Sequence, residues 1–385
     1  MTTRHEFARS MLLGAVWFLL LTVCAAKIGT AGEVNPGWQN EWEKTVQAAK
    51  REGQVTVYTS TTGAELRAEP FQKEFPEIKL VTINIAPADL GQRVMAERRA
   101  GKYIADVVTT GANPNYQVFH AARILDPIKP MLLLPEVLDG SKWWQGGHWY
   151  LDPEREYVFV YLGNVARVAS YNTTQVKPAE FKSYWDFLDP RWKGKILAQD
   201  IRGAGSGGDA MRFFYHRPEL GAKFIKRLFS EQEITLTRDS RQGVDWLAQG
   251  KFPFCLFCSG TGVERAKGQG LPVDHLDPHR FREGAPLGVG FGTLVFMNRA
   301  PHANAAKVFI NWLLSRNGQT TLQHEMARGG AGPDSLRMDI PKDAVAPAYR
   351  RREDANYLLV AQAEFTDMRP ILKIFEEALA EARKK

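Results

Sequence analysis

Five short segments of small, hydroxyl-bearing or glycine residues recur along the chain, each between an apolar run and a helical pattern. The first offers Thr59, Ser60, Thr61 and Thr62, and the second Thr110, Gly111 and Asn113. The third runs from Arg202 to Gly208 and offers Arg202, Ser206 and Gly207. The fourth offers Ser240 and Arg241, and the fifth Ser259, Gly260 and Thr261. Ser and Thr at such places cap the free N–H groups of a helix's first turn. Capping alone accounts for any one of these segments. Five at one edge of a sheet do more. Free N–H groups, positive helix ends and hydroxyl donors together make a site for an anion or polar ligand. Arg202 and Arg241 add guanidinium groups suited to paired contacts with a carboxylate or phosphate.

Catalytic patterns are missing. The glycine-rich third segment has no following Lys-Ser/Thr, so it is not a nucleotide-binding P-loop. Gly205-Ser206-Gly207 lacks the frame of a nucleophile elbow. No carboxylate pair or His-Asp set stands out by spacing, and His120, His216 and His275 show no ligand-like arrangement. The expectation is a binding protein without catalytic residues, metal ligands or cofactor. An enzyme of small phosphate esters is the alternative from another class.

Cys255 and Cys258 invite a redox or metal reading. They sit in Phe252–Ser259, an apolar run with strand character. In a strand their Cα atoms would be about 10 Å apart, whereas a disulfide needs less than roughly 7 Å. No second cysteine pair exists to complete a zinc site. The expectation is two buried packing thiols.

The elements that position these loops alternate. Helical spacing at Trp38, Trp42, Val46 and Ala49 stops at Gly53, and Gln54–Tyr58 reads as a buried strand. Helices over 64–75, 87–100 and 113–124 separate strands at 79–85 and 104–109. After an irregular stretch over 127–153, strands are expected at 157–161, 167–171, 195–199, 233–237 and 252–258. Helices are expected over 209–216, 219–230, 242–249 and 261–268, and Leu287–Met297 reads as one glycine-punctuated strand. A helix over 301–316 and a largely helical tail follow, with Glu376–Lys385 a solvated helix end. Trp143, Trp144 and Trp149 are expected to pack over an edge rather than stack on a ligand, and Asp106 to make local hydrogen bonds. This is βαβ alternation, an α/β protein with mainly parallel sheets in two units. In such sheets ligands bind beyond the carboxyl ends of the strands.

The first segment stands apart. Arg4, His5 and Arg9 precede the apolar run Met11–Ala26, with Gly29 and Ala31 spaced as a peptidase requires. Residues 1–31 read as a signal peptide. A membrane anchor would need roughly 20 apolar residues. Lipid attachment at Cys24 fits poorly, because Val23 stands where a small residue is wanted. Cleavage removes three cations and one anion and lowers the formal charge from +7 to +5. The charges are interspersed, which disfavours a nucleic-acid partner.

Several stretches now resemble a known family. Gly53–Thr59, Ala105–Val108, Val168–Thr173, Trp192–Ile196 and Ala305–Ser315 resemble, in order, the periplasmic solute-binding proteins of ABC importers. The type includes the ferric-ion, thiamine, phosphonate and sugar-phosphate receptors. The resemblance implies the type II periplasmic binding fold: two Rossmann-like lobes joined by crossing hinge strands, near 157–167 and 281–292. Lobe 1 would hold 33–160 and 290–385, and lobe 2 would hold 161–289. It also implies a monomer in the periplasm, with a small-molecule solute and the importer's permease subunits as partners. A chemosensory receptor of the same build is a further alternative. Ferric-binding members carry an adjacent tyrosine pair where this chain has Ser259-Gly260-Thr261, and often a His in the first loop. The expectation is therefore a small polar anion, with ferric ion as the alternative.

Overall fold

The computed structural model describes residues 36–60, 67–202, 207–328, 333–347 and 349–384. The expected signal peptide, Thr61, Thr62 and Ser206 lie outside the described residues. Helix α1 (Trp38–Glu52) leads through the left-handed Gly53 into β1 (Gln54–Thr59). Then come α2 (Ala68–Glu74), β2 (Lys79–Asn84), α3 (Pro87–Arg99) and β3 (Val107–Thr110). The expected helix after β3 is a π-helix, Asn113–His120. It is followed by β4 (Leu125–Asp126), α4 (Pro135–Leu138), β5 (Trp149–Tyr150), β6 (Phe159–Val160) and β7 (Asn164–Val165).

The middle of the chain builds the second unit. It runs β8 (Ala169–Asn172), β9 (Ile196–Gln199), α5 (Gly207–His216), α6 (Gly221–Glu231), β10 (Thr235–Thr237), α7 (Ser240–Ala248), β11 (Phe254–Leu256), α8 (Gly260–Gly268) and β12 (Val273–His275). The chain then returns through β13 (Ala285–Gly288), β14 (Thr293–Met297), α9 (Ala303–Leu314), α10 (Arg316–Arg328), β15 (Tyr357–Leu359) and α11 (Arg369–Ala382).

The protein has two lobes. Lobe 1 is a seven-stranded sheet, β2-β1-β3-β14-β6-β5 with β4 beside β14. Lobe 2 is a five-stranded sheet, β10-β9-β11-β8-β12. Each has a parallel centre, β2-β1-β3 in one and β10-β9-β11 in the other, met by an antiparallel return strand, β14 or β8. A third, three-stranded sheet, β15-β13-β7, takes one strand from each passage between the lobes.

Four expectations need correction. The apolar run Leu287–Met297 is not one strand. It breaks at Gly288–Gly292 into β13 of the linking sheet and β14 of lobe 1. The tail is not largely helical. Over 333–347 the chain is irregular and is held by buried charge. There the fully buried Arg337 donates to Leu314 O at 2.8 Å and pairs with Glu136 and Asp339. Nor does the C-terminal helix lie on lobe 1. Ile371, Phe375 and Ala378 of α11 join the lobe 2 core with Phe224, Leu228 and Phe229 of α6. The Trp residues do pack, Trp144 stacking on Trp149 with ring centroids 4.8 Å apart.

The fourth correction concerns the cysteines. Cys255 and Cys258 form a disulfide, with Cα atoms 5.7 Å apart. Strand β11 ends at Leu256, and Phe257 adopts a left-handed φ of 63°. That turn removes the extended spacing on which the expectation of free thiols depended.

Candidate functional site

Parallel register builds the lobe 1 edge. Thr59 lies beside Thr109, and Thr293 of the return strand lies beside Thr110. Their side chains join up. Thr109 Oγ1 donates to Thr59 Oγ1 at 3.0 Å, and Thr110 Oγ1 donates to Ser60 Oγ at 2.8 Å. Thr293 Oγ1 donates to Thr110 O at 2.7 Å and accepts from Asn115 Nδ2 at 2.8 Å. Thr59 and Thr110 are fully buried, so their hydroxyls brace the edge rather than project from it. Gly111 is half-buried, and Asn113 is exposed with its amide on Gln117 Oε1 at 2.9 Å.

At the lobe 2 edge the helices α5, α7 and α8 begin. Gly207 opens α5 where a side chain would lie 2.7 Å from Ile201 Cγ2, so only glycine fits. Asp239 caps α7 by accepting from the N–H groups of Arg241 and Gln242. Ser240 Oγ accepts from Gln199 Nε2 at 2.7 Å. Ser259 caps α8 through the Gly262 N–H at 3.2 Å and meets Thr261 Oγ1 at 3.3 Å. The disulfide braces this junction: a side chain on Gly243 of α7 would stand 3.1 Å from Cys258 Sγ. Ser240, Arg241, Ser259 and Thr261 thereby come together along a groove of about 530 Å³ between α7 and α8. Gly260 lies at the mouth of the same helix, with its carbonyl 3.3 Å from His275 Nε2.

Arg202 is placed differently. Its guanidinium grips Asp200 with Nε at 2.8 Å and Nη2 at 2.6 Å, and Arg238 adds a third contact at 3.2 Å. Arg202 also lies over the Phe375 ring, at 5.8 Å. Its charge is neutralised internally, and the Asp200 carboxyl is held down at about 2, chiefly by that pairing.

The two edges meet across the passage from β13 to β14. A side chain on Gly288 would lie 3.0 Å from Asp209 Oδ2 in the first turn of α5. On Gly290 it would lie 3.2 Å from Asn164 Nδ2, and on Gly111 it would lie 3.1 Å from Gly290 O. Gly288 and Gly290, with the buried Val289 between them, thus form a floor open at its two glycines, with lobe 1 on one side and α5 on the other. Arg212, one turn into α5, pairs with Asp209 at 2.7 Å. Surrounding protein raises the Asp209 carboxyl above its ordinary range, Arg212 opposing, while 40% of its side chain still reaches solvent. Asp209 thus stands half-open to solvent beside this floor. Asn164, Asp209 and Arg212 escaped sequence reasoning, although Arg212 lies on the expected helix 209–216.

Further along the lobe 2 edge, Arg167 pairs with Glu264 of α8 and stacks 4.0 Å over the Tyr349 ring. Beside it, His275 Nδ1 accepts from Ser170 Oγ at 2.9 Å, and burial pushes its imidazole down to about 4. Away from the cleft, donor atoms of His120, Asp152 and Glu154 converge within 4.8 Å. Asp152 already accepts three backbone N–H bonds, from Glu156, Tyr157 and Val158, which assigns it to shaping its loop. Among the described residues, no helix is long and apolar enough to cross a membrane.

Residues 67–346 match the family of bacterial extracellular solute-binding proteins. The chain belongs to that family. Solved structures similar to this solute-binding protein share its two-lobed fold. One is a Trichodesmium protein (IdiA, FutA) in complex with iron and citrate. It is 18% identical, covers 86% of this chain and 99% of that one, and has a TM-score of 0.59. Another is apo FutA2 from Synechocystis PCC6803, 16% identical over 85% and 98% of the two chains, with a TM-score of 0.60. A third is AfuA from Actinobacillus pleuropneumoniae with fructose-6-phosphate bound, 19% identical over 86% and 99%, with a TM-score of 0.53. An uncharacterized protein of Haemophilus influenzae is 26% identical over 174 residues, 42% of this chain. That match spans less than half of the relative's length, 45%.

Proposed function

We propose that this protein is the solute-capturing component of an ABC importer, working in the periplasm and passing a small anion to the permease subunits without altering it. The observation that carries the reading is the close approach at Gly288 and Gly290, which flank the buried Val289. It brings the hydroxyl-braced edge of lobe 1 and the first turn of α5 to the same place. A two-lobed protein with such a floor closes by bending at the strands that cross it. Here those strands form the sheet β15-β13-β7.

Anion selectivity follows from the groups around that floor. Arg212 presents a guanidinium beside the α5 N-terminus, where the helix dipole also favours negative charge. Asp209 counters part of that charge, so an arriving anion competes for the Arg212 fork. Ferric ion is the weaker reading. It prefers anionic oxygen ligands, yet burial raises the phenols of both Tyr161 and Tyr349, in Tyr349 against the opposing Arg167 cation.

The test is a thermal-shift panel of sugar phosphates, phosphonates, dicarboxylates, thiamine and ferric citrate, followed by calorimetry. A ligand that binds only the folded state raises its melting temperature. We expect an organic anion to do so, and Arg212→Gln to weaken it more than tenfold, about 1.4 kcal/mol. Stabilisation by ferric citrate alone, with a visible charge-transfer band, would replace the anion by iron. Turnover of a bound phosphate ester would replace capture by catalysis.

A further inference from the structure

The floor of the cleft carries one side chain of unexpected kind. Between β13 and β14 the chain makes a tight turn, with the Gly292 N–H donating to Val289 O at 2.8 Å. Gly290 supplies the positive φ of 52° that the first central position of such a turn demands. Phe291 occupies the second central position. It is 39% exposed, and no other aromatic side chain among the described residues is as open to solvent.

The turn that presents this ring is fixed on every side. Tyr161 Oη donates to Phe291 O at 3.1 Å, and the Tyr161 N–H donates to Gly292 O at 2.9 Å. Both Tyr161 and its neighbour Leu162 are buried. A side chain on Gly292 would collide with Leu162 Cβ at 2.2 Å, so the backbone packs flat on the crossing segment. The ring itself lies along the lobe 1 edge, where a side chain on Gly111 would be 4.0 Å from Phe291 Cδ1. Gly111 therefore leaves space beside it.

A phenyl ring left in water forgoes the burial that ordinarily holds aromatic residues inside. Holding it in a braced turn removes the usual outlet, which is to fold back onto the core. Ligand pockets combine a few polar anchors with apolar and aromatic walls, and rings stack on such walls in offset or edge-to-face geometry. Preorganisation lowers the ordering cost of that contact.

We propose that Phe291 is a stacking platform, and that the captured anion carries a ring. This rests on the anion reading of the cleft and adds the ligand's second half. An anionic substituent engages the Arg212 and α5 side, while one face of the ring lies on Phe291.

Matched probes test it by calorimetry on the protein lacking residues 1–31: phenyl phosphate against methyl phosphate, and benzoate against acetate. In at least one pair the ring-bearing probe should bind at least tenfold more tightly. Phe291→Ala should abolish that preference while leaving the small anion's affinity and the melting temperature unchanged. Phe291→Trp should preserve it. Equal affinities within both pairs, or a preference that survives Phe291→Ala, would overturn the platform and leave anion capture standing. Failure of all four probes to bind would overturn both.

Discussion

A side chain placed on Gly111 would stand 3.1 Å from the carbonyl oxygen of Gly290, which ties the lobe 1 edge to the turn that floors the cleft. Two residues along, the same turn is tighter still, because a side chain on Gly292 would meet Leu162 Cβ at 2.2 Å. The first contact can relax by a few tenths of an ångström. The second cannot relax without parting β6 from β14. Gly111→Ala should cost less than about 1 kcal/mol, and Gly292→Ala about 3 kcal/mol or more, as overpacking in a close-packed core does. Urea melts of the two variants check the order. Equal costs would show that the turn is not rigid.

The disulfide gives a second prediction. Cys255 and Cys258 close a loop of four residues, for which chain entropy predicts about 2 kcal/mol of stabilisation. Reduction, or replacement of both cysteines by alanine, should lower stability by that order. Mass mapping of alkylated peptides should find neither residue labelled in the unfolded, unreduced protein. Labelling of both would return them to the status of packing thiols.

Much of this was legible from residue types alone. Apolar runs ending in hydroxyl or glycine residues marked the strand ends at Thr59 and Thr110 and the helix cap at Ser259, because the same chemistry caps helices and terminates strands. What escaped depends on contacts between distant segments. Pairing of Thr109 with Thr59 needs the order of strands in the sheet, which periodicity does not encode. The amphipathic face of Ile371, Phe375 and Ala378 announces a buried stripe without naming the lobe that buries it. Phe257 hides its left-handed turn, since non-glycine residues seldom adopt positive φ and nothing in their type announces it. The partner of Arg202 was legible too. Asp200 lies two residues away, close enough to claim the guanidinium before any ligand does.

Acid should destabilise the protein through two buried imidazoles. His148 donates from Nε2 to Val137 O at 2.7 Å, and burial pushes it down to about 4. His275 is pushed equally far, by burial and then by Arg167. Unfolding returns each to 6.5, so between 6.5 and 4 the unfolded chain binds more protons. Stability is therefore full above pH 6.5 and falls as the pH drops, by about 2 kcal/mol for each residue at pH 5. Urea melts at pH 7.5 and 5 should show the loss, and His275→Gln should halve the dependence. A flat profile would mean that these rings accept protons in the folded state.

Arg202 and Asp200 give the last prediction, which separates a structural arginine from a ligand-binding one. The Asp200 side chain is 2% exposed, and Arg202 holds its carboxyl down at about 2 against an ordinary 3.8. A depressed carboxyl stabilises the fold at pH values above its unfolded titration, here by about 2 kcal/mol. That contribution should fade as the pH falls from about 4 toward 2. Asp200→Asn should cost roughly that amount at pH 7 and progressively less below pH 4, measured by urea unfolding against the parent protein. Arg202→Ala should lower stability at pH 7 similarly, while leaving the affinity for any cleft anion within twofold. A tenfold loss of affinity in Arg202→Ala, with stability unchanged, would move Arg202 from the frame of lobe 2 into the binding site.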